Sequence, residues 1–338
     1  PGRTRSYLLR RYGTDFWQAQ MDIQNGRVDG VAKTRKQNRI RGYSRQGVKN
    51  PAFISDQSAT MKEFLARVVS GIAFVALMAF CILYGPQSFA ILFALITGLC
   101  LWEFYTLIEK QPDVKINKFM ASLGGVYLFV AAYFYYSGIL PSAIFLPWLG
   151  IMMYLSIAEL FKSELKNMHS LAYTYFGQIY IALAMVLLAR MAFLPSAGEN
   201  GTYHRVLLMS FFVFVWIADS SAYVFGSLFG KHKLFERISP KKTWEGFIAE
   251  LVITVAAGIP AALWFPDIFS LGEWMGFAAV IVVFGLLGDL FESLIKRTTH
   301  VKDSGKLIPG HGGLLDRLDT VLMAIPAVSL YLLLIQWV

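Results

Sequence analysis

Four stretches of this chain place acids, bases and hydroxyls at spacings where they can act together. The first is Asp289-Leu290-Phe291-Glu292-Ser293-Leu294-Ile295-Lys296-Arg297. Positions 289, 292, 293 and 296 recur at i, i+3, i+4 and i+7, so one helical face carries two carboxylates, a hydroxyl and an ammonium, with Arg297 beside them. A solvated helix end accounts for Lys296 and Arg297, but less well for Asp289 two turns deeper. The second stretch follows at once, from Lys302-Asp303-Ser304-Gly305-Lys306 through Pro309-Gly310-His311-Gly312-Gly313 to Asp316-Arg317-Leu318-Asp319. Its proline and glycines allow tight turns with amides turned toward an anion. Asp316 and Asp319 stand i, i+3 at the start of a last helix. His311 alone would be an ordinary loop residue; glycines around it and three nearby aspartates make it a candidate site residue.

The third stretch is Trp216-Ile217-Ala218-Asp219-Ser220-Ser221-Ala222-Tyr223, inside an apolar run. A carboxylate there is expensive unless it binds a cation, gains a proton or finds a hydroxyl partner, so Asp219 is a candidate ligand for a cation. The fourth is Gly226 to Glu245. Gly230-Lys231 hints at a phosphate loop, but the next residue is His232 and the glycine spacing is four, so it is not a Walker A motif. Ser239-Pro240-Lys241-Lys242-Thr243 reads as the start of a helix, whose N-terminus can hold phosphate. Clustered carboxylates among lysines and arginines suit a hard divalent cation together with a polyphosphate. No Cys/His set points to zinc; Cys81 and Cys100 each sit in an apolar run.

The elements that must position these residues are membrane helices. Of 338 residues, 56% are hydrophobic and 16% charged, with a mean hydropathy of +0.51, which excludes a soluble fold. The apolar residues come in runs long enough to cross about 30 Å of hydrocarbon. The pattern predicts an all-α polytopic membrane protein with about nine spans, near 67–84, 88–108, 119–136, 141–160, 171–194, 206–229, 244–265, 273–296 and 318–337. Before them, residues 1–60 hold 12 Lys/Arg against four acids and little apolar periodicity, and are expected to be disordered. Two readings of this tail stand: attraction to anionic headgroups, or a non-native stretch upstream of an initiator at Met61. With the N-terminus in the cytoplasm, 17 of the 19 Lys/Arg after residue 60 fall on cytoplasmic loops. The polar site is therefore expected at the cytoplasmic face.

The residues from Ser293 to Asp319 resemble the phosphatidate cytidylyltransferases, also called CDP-diglyceride synthetases. The pattern here is Ser293-x-Ile295-Lys296-Arg297, Lys302-Asp303-x-Gly305, then Pro309-x-His311-Gly312-Gly313-Leu314-x-Asp316-Arg317-x-Asp319. Asp219-Ser220, Ala222-Tyr223, Gly226, Gly230-Lys231, Ser239 to Thr243 and Glu245-Gly246 are similar as well. The resemblance covers residues 61–338, most densely from 206 onward, and does not extend to 1–60. It implies a transmembrane cytidylyltransferase domain at 61–338, with a catalytic half at 206–338. The implied reaction joins CTP and phosphatidic acid to give CDP-diacylglycerol and pyrophosphate, with Mg²⁺ required and, by analogy, a second cation such as K⁺. The roles it implies run as follows. Asp219, Asp289, Asp316 and Asp319 hold or orient cations, with Glu292 in support. Lys241, Lys242, Lys296, Arg297 and Arg317 neutralise triphosphate and phosphatidate, and Lys302 contributes to substrate binding. Ser239, Thr243, Ser293 and His311 supply hydrogen bonds. The implied location is the inner (plasma) membrane; the implied partners are the two substrates and membrane lipids, with no nucleic acid. Homodimerisation is a family-level expectation.

Two rival readings carry less. A CTP-using kinase of a lipid alcohol would share the nucleotide and metal features, but the continuous match over 293–319 argues against it. An ion-coupled transporter would fit Asp219 and Glu250 in spans, yet the charges gather at one face rather than at the midplane.

Overall fold

Apolar runs separated by glycine, proline and polar caps become long helices. The computed structural model describes residues 69–161, 168–194, 201–301, 303–305 and 312–335. The tail at 1–60, Lys302 and His311 lie outside the described residues. Helix α1 covers Val69–Tyr84 and α2 Pro86–Ile108, the two separated by Gly85 with Pro86 opening α2. Helix α3 is Lys118–Tyr136, where the Asn117 side chain accepts from the Met120 amide as N-cap. Helices α4 (Ser142–Leu160), α5 (His169–Ala192) and α6 (Arg205–Phe229) follow. A short hairpin comes next, β1 Lys233–Phe235 pairing antiparallel with β2 Ser239–Thr243. Then come α7 (Trp244–Trp264), α8 (Leu271–Thr298) and α9 (Asp319–Leu334). A capping box between Ser270 and Glu273 starts α8.

Among the described residues, seven helices, α2 to α8, are long and apolar enough to cross a membrane; α1 and α9 are shorter apolar helices. The chain is a multi-pass membrane protein of the all-α class, and the hairpin is its one departure among the described residues. The expected helix start at 239–243 is half right. Ser239 to Lys242 run as a strand, and the helix begins only after Thr243, whose Oγ accepts from the Gly246 amide at 3.2 Å.

In lipid, helices gain little from the hydrophobic effect against one another, so association rests on close packing and internal hydrogen bonds. Both are visible. Helix α6 packs against α7, α8 against α9 and α2 against α3. A π-helical turn at Gln178–Ala182 interrupts α5 and turns the Gln178 side chain inward. Its Nε2 donates to Tyr105 Oη at 3.0 Å and to the Ala121 carbonyl at 2.7 Å, while Trp148 Nε1 donates to its Oε1 at 3.3 Å. One side chain thereby ties α2, α3, α4 and α5. On the other side, Trp274, Phe269, Phe277 and Phe214 pack edge-to-face and tilted around the start of α8.

Candidate active site

The carboxylates come together because glycines let helices approach. A Cβ on Gly246 of α7 would lie 3.1 Å from the Gly226 Cα and from the Ala222 carbonyl, both on α6. A Cβ on Gly288 of α8 would strike the Asp319 carbonyl and lie 3.2 Å from Met323 Cβ on α9. Small residues at these crossings bring Asp219 on α6, Asp289 on α8 and Asp319 at the start of α9 to the walls of two cavities, with Asp219 in both. Thr320 Oγ1 lies 3.5 Å from both Asp219 Oδ1 and Asp319 Oδ1.

A cavity of about 470 Å³, the main one of the two whose walls include Asp219, lies between the hairpin and helices α6, α7, α8 and α9. Its wall includes Asp219, Glu250 and Asp289 against Lys233, Lys241 and Lys242. Lys242 Nζ meets Asp289 Oδ2 at 2.6 Å, and Ser293 Oγ donates to Asp289 Oδ1 at 3.3 Å. Burial pulls the Lys242 pKa down, but Asp289, Glu250 and Asp319 outweigh it and hold the ammonium above its ordinary value. A smaller cavity of about 170 Å³ opens on the other side of Asp219. Asp316, Arg317, Asp319 and Trp216 line it together with Phe74 and Val75 of α1.

A second charged group sits beside the first. Lys296 Nζ pairs with Glu292 of its own helix and meets Asp316 Oδ1 at 2.8 Å. Glu292 is fully buried. Asp316, in the single 3₁₀ turn Leu315–Arg317, also accepts from the Ser304 amide at 3.0 Å and the Gly313 amide at 2.9 Å. Burial raises its pKa, yet Lys296 and these amides outweigh burial and keep the carboxyl below its usual range. Asp316 therefore spends its lone pairs on the loop and on Lys296. Arg297 Nε donates to the Ile238 carbonyl at 3.4 Å, bracing the hairpin against the end of α8.

The sequence-predicted residues thus fall into two neighbouring groups. Asp219, Lys241, Lys242, Thr243 and Asp289 line the main cavity, with Ser293 bonded to Asp289. Glu292, Lys296 and Asp316 form a buried cluster, and Arg317, Asp316 and Asp319 reach the smaller cavity. Ser239 lies at the turn end of β2, paired with Phe235. Sequence reasoning passed over Lys233, Glu250 as a site residue, and Glu245. The Glu245 carboxylate accepts from the Lys231 and His232 amides and pairs with His232 Nδ1, closing the hairpin onto α7. It passed over Glu103 as well, although an acid inside an apolar run is itself a signal.

Among the described residues no three His, Cys, Asp or Glu side chains draw close enough to hold one ion by themselves. Asp219, Asp289 and Asp319 offer carboxylate oxygens, with Lys242 Nζ already at Asp289. That set fits a hard cation such as Mg²⁺, which takes one or two carboxylates and fills its octahedron with water and phosphate oxygens.

Comparison with known proteins places the chain. A family model described as the cytidylyltransferase family matches residues 65–335. A protein of Haemophilus influenzae named phosphatidate cytidylyltransferase is 30% identical over 285 residues, 78% of this chain and 97% of that protein. Proteins of the same name from Staphylococcus aureus strain COL and Staphylococcus haemolyticus are 41% and 47% identical over 155 and 139 residues. Those two matches cover 45% and 40% of this chain, and 57% and 52% of the staphylococcal proteins. The chain thus spans only about half the length of these staphylococcal relatives.

Proposed function

The chain belongs to the cytidylyltransferase family, and we propose that it transfers the CMP moiety of CTP to phosphatidic acid, giving CDP-diacylglycerol and pyrophosphate. The observation that carries the reading is the main cavity, where three lysines face three carboxylates at the end of an apolar bundle. A polyanion can lie among those lysines while a lipid keeps its chains in the bilayer.

A phosphatidate oxygen attacks the α-phosphorus of CTP, and the bond from that phosphorus to the bridging oxygen of the β-phosphate breaks. The nucleophile is already anionic at neutral pH, so the chain need not supply a strong base. It must bring two anions together and stabilise the charge on the departing pyrophosphate. Lys233, Lys241 and Lys242 line the cavity where the triphosphate would lie. Asp289 orients Lys242 through their ion pair. Arg317, in the smaller cavity beside apolar Phe74, Val75 and Trp216, stands where a lipid phosphate would arrive from the bilayer. Lys296, held by Glu292 and Asp316, fixes the loop that presents Arg317 and Asp319. Asp219, Asp289 and Asp319 would hold Mg²⁺, with a second cation such as K⁺ in the same acidic surroundings. When bound, the divalent cation offsets phosphate charge and orients the triphosphate.

The proposal extends to topology. Helices α1 and α9 complete nine spans, with the N-terminus and the site on the cytoplasmic side of the inner membrane. The lysines of the hairpin and the end of α8 support this, since basic residues gather in cytoplasmic loops.

The test is turnover of purified protein in detergent with radiolabelled CTP, phosphatidic acid and Mg²⁺, followed by lipid extraction. The expected result is label in a chloroform-soluble liponucleotide, one pyrophosphate per product and loss on chelation. Release of CDP with a phosphorylated lipid alcohol, and no liponucleotide, would overturn the reading.

A further inference from the structure

Glu103 lies five residues before the end of α2, on a helix otherwise made almost wholly of apolar residues, and is 8% exposed. A carboxylate at that depth is costly unless it is bound. Its Oε2 accepts from the Leu315 amide at 2.9 Å, across 212 residues of chain. Leu315 opens the 3₁₀ turn that carries Asp316 and Arg317. The carboxylate thus sits at the donor end of that turn, as an acid caps a helix N-terminus. Two glycines let the loop close on it. A Cβ on Gly305 would strike the Glu103 carboxylate, and a Cβ on Gly313 would strike Ser304 Oγ and lie 2.6 Å from Glu103 Oε2. These contacts bear on a loop whose next residue, Asp316, holds Lys296, the Ser304 amide and the Gly313 amide.

We propose that Glu103 is a positioning residue for the active site: it clamps the 303–305 and 312–317 segments against α2 and so sets where Asp316 holds Lys296 and where Arg317 faces the smaller cavity. The assignment rests on the cytidylyltransferase reading. Glu103 touches neither cavity wall; its effect passes through the loop. The clamp gives α2 a reason to carry an acid five residues before its end.

The experiment combines hydrogen exchange, followed by mass spectrometry, with steady-state kinetics on the full chain in detergent. The variants are Glu103→Ala, Glu103→Gln and Gly305→Ala. In Glu103→Ala, peptides spanning 303–318 should exchange at least tenfold faster, with the hairpin and the other helices unchanged. Its kcat should fall at least tenfold, while KM for CTP stays within twofold because the lysine hairpin is untouched. Glu103→Gln keeps a carbonyl oxygen for the Leu315 amide and should retain kcat within threefold. Gly305→Ala, whose Cβ would meet Glu103 atoms first and so push the loop away from an intact Glu103, should reproduce the exchange and kcat changes of Glu103→Ala. Should Glu103→Ala lose protection everywhere, the Gly305→Ala and Glu103→Gln results decide. Unchanged loop exchange in Glu103→Ala, or an opened loop with full kcat, would overturn the proposal. So would a kcat loss in Glu103→Gln with the loop still protected. A wild-type protein without liponucleotide synthesis would instead sink the reaction assignment, while loop exchange would still report on the clamp.

Discussion

Replacing Asp289 with Asn removes one charge and little volume, and the structure says what that charge does. Asp289 meets Lys242 at 2.6 Å, with the two side chains 30% and 24% exposed. Exposed pairs contribute about 0.2–1 kcal/mol and breaking a buried one costs about 3–5, so this half-covered pair is worth about 1–3 kcal/mol of stability. Asn can still accept from Ser293 Oγ, so the fold should survive. If Asp289 also faces substrate and cation, its loss should lower turnover by about 10²–10³, the scale of about 2.7–4 kcal/mol seen when one preorganised charge partner is removed. The discriminating assay is a double-mutant cycle with Lys242→Met, reading liponucleotide synthesis and thermal unfolding in parallel. The stability effects should be non-additive, because each variant breaks the same pair. The activity effects should remain largely additive, with the double variant at least tenfold below Lys242→Met alone. A double variant no worse than Lys242→Met would show that Asp289 acts only through Lys242. A folded, fully active Asp289→Asn would refute its role in the site altogether.

Other outcomes follow from the same geometry. Gly288→Val should wedge α8 from α9 at the Asp319 carbonyl, costing about 1–3 kcal/mol of stability and more than tenfold in turnover; thermal unfolding and kcat measure the two separately. Asp316 has a folded pKa below its ordinary value. Its contribution is therefore present above the unfolded value of about 3.9 and is lost as pH falls through the folded one. Wild-type stability in detergent should drop steeply below about pH 4, and Asp316→Asn should flatten that acid limb while lowering stability at neutral pH. Chelation of divalent cations should abolish synthesis, and Asp319→Asn should raise the Mg²⁺ concentration for half-maximal rate at least tenfold with KM for phosphatidate little changed. Arg297→Ala should loosen the hairpin through the lost bond to Ile238, raising KM for CTP by less than tenfold.

Membrane class, the positions of the seven helices long and apolar enough to cross a membrane, and the charged stripe on α8 were legible in the sequence. Each is a local property: apolar run length matches bilayer thickness, and the i, i+3, i+4, i+7 spacing fixes which residues share a helical face. Asp289, Glu292, Ser293 and Lys296 did share that face, and Asp219 was visible as an acid where acids are costly. Local spacing does not say which helices touch. That Asp289 pairs with Lys242 of the hairpin, while Glu292 turns to Lys296 and Asp316, depends on α6, α7, α8 and α9 meeting at glycines. The strand at 239–242 was also hidden, because the proline and lysines suit a helix start and only pairing with Lys233–Phe235 makes the segment extended. Glu103 shows the limit most plainly. Its residue type and depth were in the sequence, but its partner amide lies 212 residues away. Contacts at that separation are set by how the helices pack, through sterics and polar satisfaction in a medium without water, and these only the tertiary structure decides.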